Sequence, residues 1–347
     1  MRILIIFILT AVIFSCQNNS GDETVDLLHV VREGASIPAY VYGNTDSETF
    51  IIILHGGPGG NGFEYKTGFL SDELERFYGV VYTDQRGQGM SQSTSNAPVN
   101  SLELMTEDVY ALALTLRAKY GDNINLFLMG HSWGGLLGTS VMVNENFSRE
   151  FKGWIEVAGA HDFPAVYTSG HFMIDSICNN MISQDISEDI YSEFLERLSS
   201  VNINEITLAN FSVINALAFE VETQLLFDGV LQMGAAENLV DQLRYQFLVN
   251  NYITSTTSGN TTNAELFAND LFEVNLTSQL SNITTPTLLM WGAFDLVVPF
   301  KLGETAFQEI NTDDKEFIIF DLSGHSPFNN QTIEFTEEII DFVEAFK

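Results

Sequence analysis

Short unbroken apolar runs alternate along this chain with longer stretches whose apolar positions recur every three or four residues. The runs FIIIL (residues 50–54) and GVVYT (79–83), with residues 125–129 and 153–158, are bounded by glycine or polar residues. Such runs predict strands covered on both faces. Between them, residues 62–78, 101–120 and 136–144 read as helices. The second sets Leu104, Val109, Leu112 and Leu116 at helical spacing and stops at Gly121. Residues 27–32 and 37–42 alternate instead, as an opening antiparallel pair would. From Asp162 to Thr284 the rhythm changes to amphipathic runs punctuated by Asn and Ser, at residues 186–198, 206–227 and 236–250. It then resumes with a strand at 287–291, a helix at 301–310, a strand at 316–320 and a helix at 332–346. The fold class predicted is α/β: a mostly parallel eight-stranded sheet in a core of residues 27–161 and 285–347, with an inserted helical cap, residues 162–284.

Composition narrows the partners. With 14 Lys+Arg against 46 Asp+Glu, the formal net charge is -32, and such a surface repels nucleic acid and anionic lipid headgroups. Residues 1–15 read as a signal peptide: Arg2 precedes an apolar stretch from Ile3 to Phe14, too short to span a bilayer, which needs about 20 residues. The closing Ile13-Phe14-Ser15-Cys16 resembles a bacterial lipoprotein box. That resemblance implies lipidation at Cys16, a polar tether over residues 16–26, and a place in the cell envelope. The outer membrane is expected, because Gln17 stands where an inner-membrane retention signal carries aspartate. The lipid would be the sole membrane attachment. Cys178 is then left without an intramolecular partner, so no disulfide framework is expected.

The segment LFLMGHSWGGLLG, residues 126–138, runs a strand pattern into G-x-S-x-G and then small residues. A serine on a sharp strand-to-helix turn is exposed for nucleophilic attack, provided a base and oxyanion donors stand beside it. Ser132 is the candidate nucleophile. In the chain order Ser…Asp…His expected for such a turn, Asp295 follows the strand at 287–291 and His325 follows the strand at 316–320. Both fall at C-terminal strand edges, where open parallel sheets place their sites. Asp162 is the rival acid, and His131 reads as a packing residue. The loop LHGGPGG, residues 54–60, follows FIIIL; the backbone N–H of Gly57 is the expected oxyanion donor, paired with that of Trp133.

Taken together, HGGPGG, DQRGQGMS, GHSWGG and the Asp295 and His325 segments resemble the α/β-hydrolase fold, and within it the prolyl aminopeptidase branch. The resemblance implies structural roles for Asp84 and Arg86. It also implies acidic cap residues that hold the substrate's free amine. The family's Trp-Glu is matched here by Phe219-Glu220, which makes Glu220 the candidate anchor with Glu222 two residues on. The family's second cap acid has no counterpart ahead of the similar YQF, residues 245–247. The expected activity is a serine hydrolase releasing N-terminal residues, proline among them, from small peptides. The alternative is an esterase, lactonase or amide hydrolase acting on a small substrate without a free amine. No cofactor is expected, and no H-e-x-x-H or EF-hand spacing suggests a metal. A purely binding role would not require nucleophile, acid, base and glycine loop together.

Overall fold

The computed structural model describes residues 26–66, 68–94, 96–234, 252–268 and 271–347. The expected signal peptide, Cys16 and its tether up to residue 25 lie outside the described residues, as do the helical run at 236–250 and the YQF segment.

Eight strands form one path: β1 (Asp26–Arg32), β2 (Ala35–Gly43), β3 (Thr49–Leu54), β4 (Gly79–Thr83), β6 (Asn125–His131), β7 (Gly153–Val157), β8 (Thr287–Gly292) and β9 (Lys315–Phe320). A two-residue β5 (Gln92–Ser93) pairs with β2 beside that path. The order is β1-β2-β4-β3-β6-β7-β8-β9. The β1–β2 and β2–β4 pairs are antiparallel and every pair from β4 to β9 is parallel. The FIIIL run explains itself once placed. Phe50, Ile52 and Leu54 enter the core on one face of the sheet, while Ile51 and Ile53 enter the core on the other.

Helices α1 (Gly68–Phe77), α2 (Leu102–Tyr120), α3 (Trp133–Met142), the short α4 (Glu145–Ser148), α9 (Lys301–Glu309), the short α10 (Pro327–Asn330) and α11 (Thr332–Phe346) belong to the sheet layers. Residues 62–78, expected as one helix, divide into a 3-10 turn (Gly62–Tyr65) and α1. Ser101 caps α2 by accepting from Leu104 N at 3.2 Å. Among the described residues, four helices lie between β7 and β8: α5 (Phe163–Ser183), α6 (Glu188–Ser199), α7 (Leu208–Phe227) and α8 (Tyr252–Ala268). The first three share a separate apolar cluster that includes Tyr167, Ile174, Cys178 and Leu217. Burial pushes the Cys178 thiol up to about 12, with Asp175 adding to the rise, which suits an inert packing residue.

The loop after β4 is held by buried charge. Asp84 accepts from Gly62 N at 2.8 Å and Met90 N at 2.7 Å. Arg86 forms a two-pronged pair with Asp108, both bonds 2.7 Å, and also donates to the carbonyls of Arg32 and Glu33. Removing one partner of such a pair strands a buried ion. Asp108→Ala is therefore expected to cost about 3–5 kcal/mol, read as a lower urea midpoint with an unchanged slope.

Candidate active site

Ser132, Asp295 and His325 all sit at the C-terminal edge of the parallel strands. Ser132 links β6 to α3 with φ 57 and ψ -117, a conformation that non-glycine residues rarely adopt. Tight packing enforces this turn. A Cβ on Gly130 would lie 2.2 Å from Gly134 O, and one on Gly134 would lie 2.1 Å from Leu54 O. Ser132 N donates to Val157 O at 2.9 Å, and Ala160 N donates to Ser132 O at 3.2 Å, so strand β7 and its following loop clamp the strained residue.

Asp295, fully buried after β8, accepts from Val297 N at 3.0 Å and Val298 N at 2.7 Å. It also accepts from His325 Nδ1, at 3.1 Å through Oδ1 and 3.0 Å through Oδ2. That bond leaves Nε2 as the free imidazole nitrogen. Burial opposes the charged ring, but Asp295 beside it and Glu222 nearby outweigh this and raise the His325 pKa above the ordinary value. Ser132 and His325 line one cavity of about 620 Å³, together with Gly57 and Pro58. The rival acid Asp162 is engaged elsewhere. It caps α5 by accepting from Ala165 N and holds Asn275 and Thr277.

The glycine loop after β3 is braced from three directions. Gly56 N–H is taken by the Tyr65 hydroxyl at 2.9 Å, which leaves Gly57 as the next N–H along the cavity wall. Gln85 accepts from Trp133 Nε1 at 2.6 Å and donates to His55 O at 2.8 Å, so one amide joins the first residue of α3 to the loop. Gln85 N donates to His55 Nε2, so the ring proton is on Nδ1 and goes to Gly56 O at 2.8 Å. Burial lowers the His55 pKa to about 4, against the pull of that backbone bond, so the ring stays neutral. The cap also leans on this loop: a Cβ on Gly59 would meet Gly259 O of α8 at 3.2 Å, and Asn263 donates to Pro58 O at 3.3 Å.

His131 does more than pack. Its Nε2 lies 2.9 Å from His325 O, which can only accept, so Nε2 carries the proton and Nδ1 accepts from the Tyr65 hydroxyl at 2.7 Å. Burial, with His325 close by, holds its pKa well below the ordinary value. A neutral chain thus runs from Gly56 N–H through Tyr65 and His131 to the backbone of His325. Tyr65 carried no signal in the sequence, since both it and His131 are small parts of glycine-rich surroundings.

One expected residue is misplaced. Glu220 faces outward on α7, where its side chain is 45% exposed and paired with Arg197. That ion pair, first through the hydrogen bond to Arg197, lowers its pKa. Glu220 does not line the cavity, so it is corrected from amine anchor to surface ion-pair partner. The helical period decides the matter: Leu217, Ala218, Val221 and Leu225 face the cap core, and Glu220 lies across from them. Glu222 is the acid that turns inward. Its Oε1 accepts from Leu296 N and its Oε2 from His325 N, each at 2.8 Å. Burial and then the charge of Asp295 push its carboxyl up to about 7.

A family model described as serine aminopeptidase, S33, matches residues 46–190. Over 283 residues the chain is 23% identical to a "probable aminopeptidase" of Bacillus subtilis, covering 80% of this chain and 83% of the relative. The solved structure of a proline iminopeptidase-related protein from Thermus thermophilus superposes with a TM-score of 0.59 at 18% identity, over 92% of this chain and 98% of the other. An esterase from a Rhodococcus species gives 0.56 at 17% identity, over 94% and 100%. This chain has the α/β-hydrolase fold. Asp84 and Arg86, in that setting, are the structural braces that the resemblance implied.

Glu222 gives this α/β-hydrolase-fold protein a test that local stability alone does not explain. Its charge supports the protonated form of His325, so Glu222→Gln is expected to move the acid limb of kcat/KM to lower pH. Loosening of both loops is expected to lower kcat by roughly 10–100-fold. A pH profile of purified variant and parent checks both.

Proposed function

We propose that this protein is a serine hydrolase that releases N-terminal residues from small peptides through an acyl-enzyme on Ser132. The observation that carries the reading is the buried Asp295–His325 pair facing the cavity that the strained Ser132 also lines. The Ser132 proton passes to His325 Nε2 as Oγ bonds to the carbonyl carbon and the carbonyl electron pair moves onto oxygen. The N–H groups of Gly57 and Trp133 receive that oxyanion. Its collapse breaks the bond to the leaving amine, which takes the proton from His325. A water then repeats the sequence, giving its proton to His325 and freeing the acid and Ser132. Asp295 holds the ring orientation and the charge that His325 carries between the two transfers.

The aminopeptidase part of the reading is supported by the serine aminopeptidase family match and the Bacillus subtilis relative. A second reading, an esterase or related acyl hydrolase, is favoured by one observation: Glu220 is turned away from the cavity and cannot hold a substrate amine there.

Aminoacyl arylamides, proline included, should be compared with their amine-blocked forms and with a short acyl ester. Ser132→Ala is expected to lower turnover by roughly 10⁴-fold or more. Cleavage confined to free-amine substrates supports the first reading; indifference to the amine, or ester cleavage alone, overturns it in favour of the second. The rate is expected to rise with pH through an apparent value above the ordinary histidine figure, because His325 must lose its proton to act as base.

A further inference from the structure

One ionisable cavity residue takes no part in the acyl transfer above. Glu64 stands on the Gly62–Tyr65 turn just after the glycine loop and lines the same cavity as Ser132 and His325. Glu64 is an exposed residue, and the protein packed around its carboxyl still pushes the pKa up to about 7. Burial is the main cause; a backbone bond from Asn61 opposes it and Asp84 adds to it. Asn61 Nδ2 donates to Oε1 at 3.0 Å. Bonds to Asn61 brace the turn, but they neutralise no charge.

The nearby cation is committed elsewhere. Lys66 Nζ donates to both oxygens of Glu75, at 2.8 and 2.9 Å, and rests 4.2 Å over the Tyr42 ring. His131 and His55 are held neutral. Asn215, Asn263 and Asn329 add amides to the cavity wall, but no charge. Among the described residues, no salt bridge reaches Glu64, so its charge is uncompensated until something enters. An incoming cation would pair with that carboxylate while the substrate displaces the water that now screens it.

Its place also limits where that cation can sit on the substrate. A Cβ on Gly60 would lie 3.0 Å from Glu64 Oε2 and 2.7 Å from Gly56 O. The carboxylate therefore lies against the loop whose Gly57 would hold the carbonyl oxygen. We infer that Glu64, from the core and not the cap, is the specificity-determining residue that receives a protonated amino group close to the carbonyl under attack. This rests on the serine hydrolase reading and fixes the substrate class as an aminoacyl donor with a free amine.

The test compares kcat/KM for an aminoacyl arylamide with that for its N-acetyl form, in parent and Glu64→Gln proteins of matched thermal stability. The parent is expected to prefer the free amine, and Glu64→Gln to cut that preference by at least about tenfold, mainly through KM. An unchanged preference in the variant overturns the inference. Should Glu64→Gln fail to fold, the parent alone decides through competition against ester hydrolysis. Butylammonium is expected to inhibit at about tenfold lower concentration than neutral butanol, and equal inhibition overturns the inference. Hydrolysis that persists in Ser132→Ala, or an absence of both arylamide and ester hydrolysis from the parent, overturns the hydrolase reading itself. Ser132-dependent ester hydrolysis without amine preference overturns only the role of Glu64.

Discussion

Two 2.8 Å bonds to one half-buried carboxylate tie together parts of the chain that are far apart in sequence. Glu222 comes from α7 of the cap, yet its oxygens accept the N–H beside Asp295 and the N–H of His325 itself. The loops after β8 and β9 are thus spaced by a third element that lies over both. Gly324 shows how closely they meet, since a Cβ there would stand 2.2 Å from Glu222 Oε2. α7 therefore adds a second tie between the Asp295 and His325 loops, beside the direct bond from Phe294 N to Ser323 O at 2.9 Å. Cap and strand edge form one hydrogen-bonded unit, although they come from separate stretches of chain.

Around that unit, burial sorts three histidines into different states. His55 and His131 lie among backbone carbonyls and a tyrosine with no carboxylate partner, so desolvation prevails and both remain neutral. His325 meets equal burial but stands against Asp295, and the charge wins. The neutral rings are useful because a neutral imidazole donates at one nitrogen and accepts at the other. That directionality lets His131 pass the brace from Tyr65 to His325 without placing a second positive charge 4.7 Å, ring to ring, from the base.

Much of this was legible in the sequence. The unbroken runs marked the central strands because both faces of the sheet are covered, and the glycines around Ser132 marked the turn because no side chain fits there. The cap was less readable. Its helix α5 was not singled out, since its apolar residues divide between the cap cluster and the core. Glu220 was selected by its likeness to a dipeptide, whereas the 3.6-residue period of α7 puts Glu222 inside and Glu220 out. His131 and Tyr65 are 66 residues apart, and only the folded loop brings the hydroxyl to the ring. Glu64 was hidden for a similar reason: a helix through residues 62–78 was expected, and the 3-10 turn that breaks it points the carboxylate at the cavity.

The positive φ at Ser132 also constrains what evolution could place there. At φ 57 a side chain that carries one heavy atom on Cβ is accommodated, and it reaches the cavity. Cysteine and aspartate share that unbranched shape, so the turn could exchange one nucleophile for another and keep its geometry. Threonine would add a second heavy atom at Cβ, where a left-handed backbone already crowds it. The elbow therefore selects nucleophiles by shape before their chemistry is ever tested, and it opens some catalytic lineages to this fold while closing another.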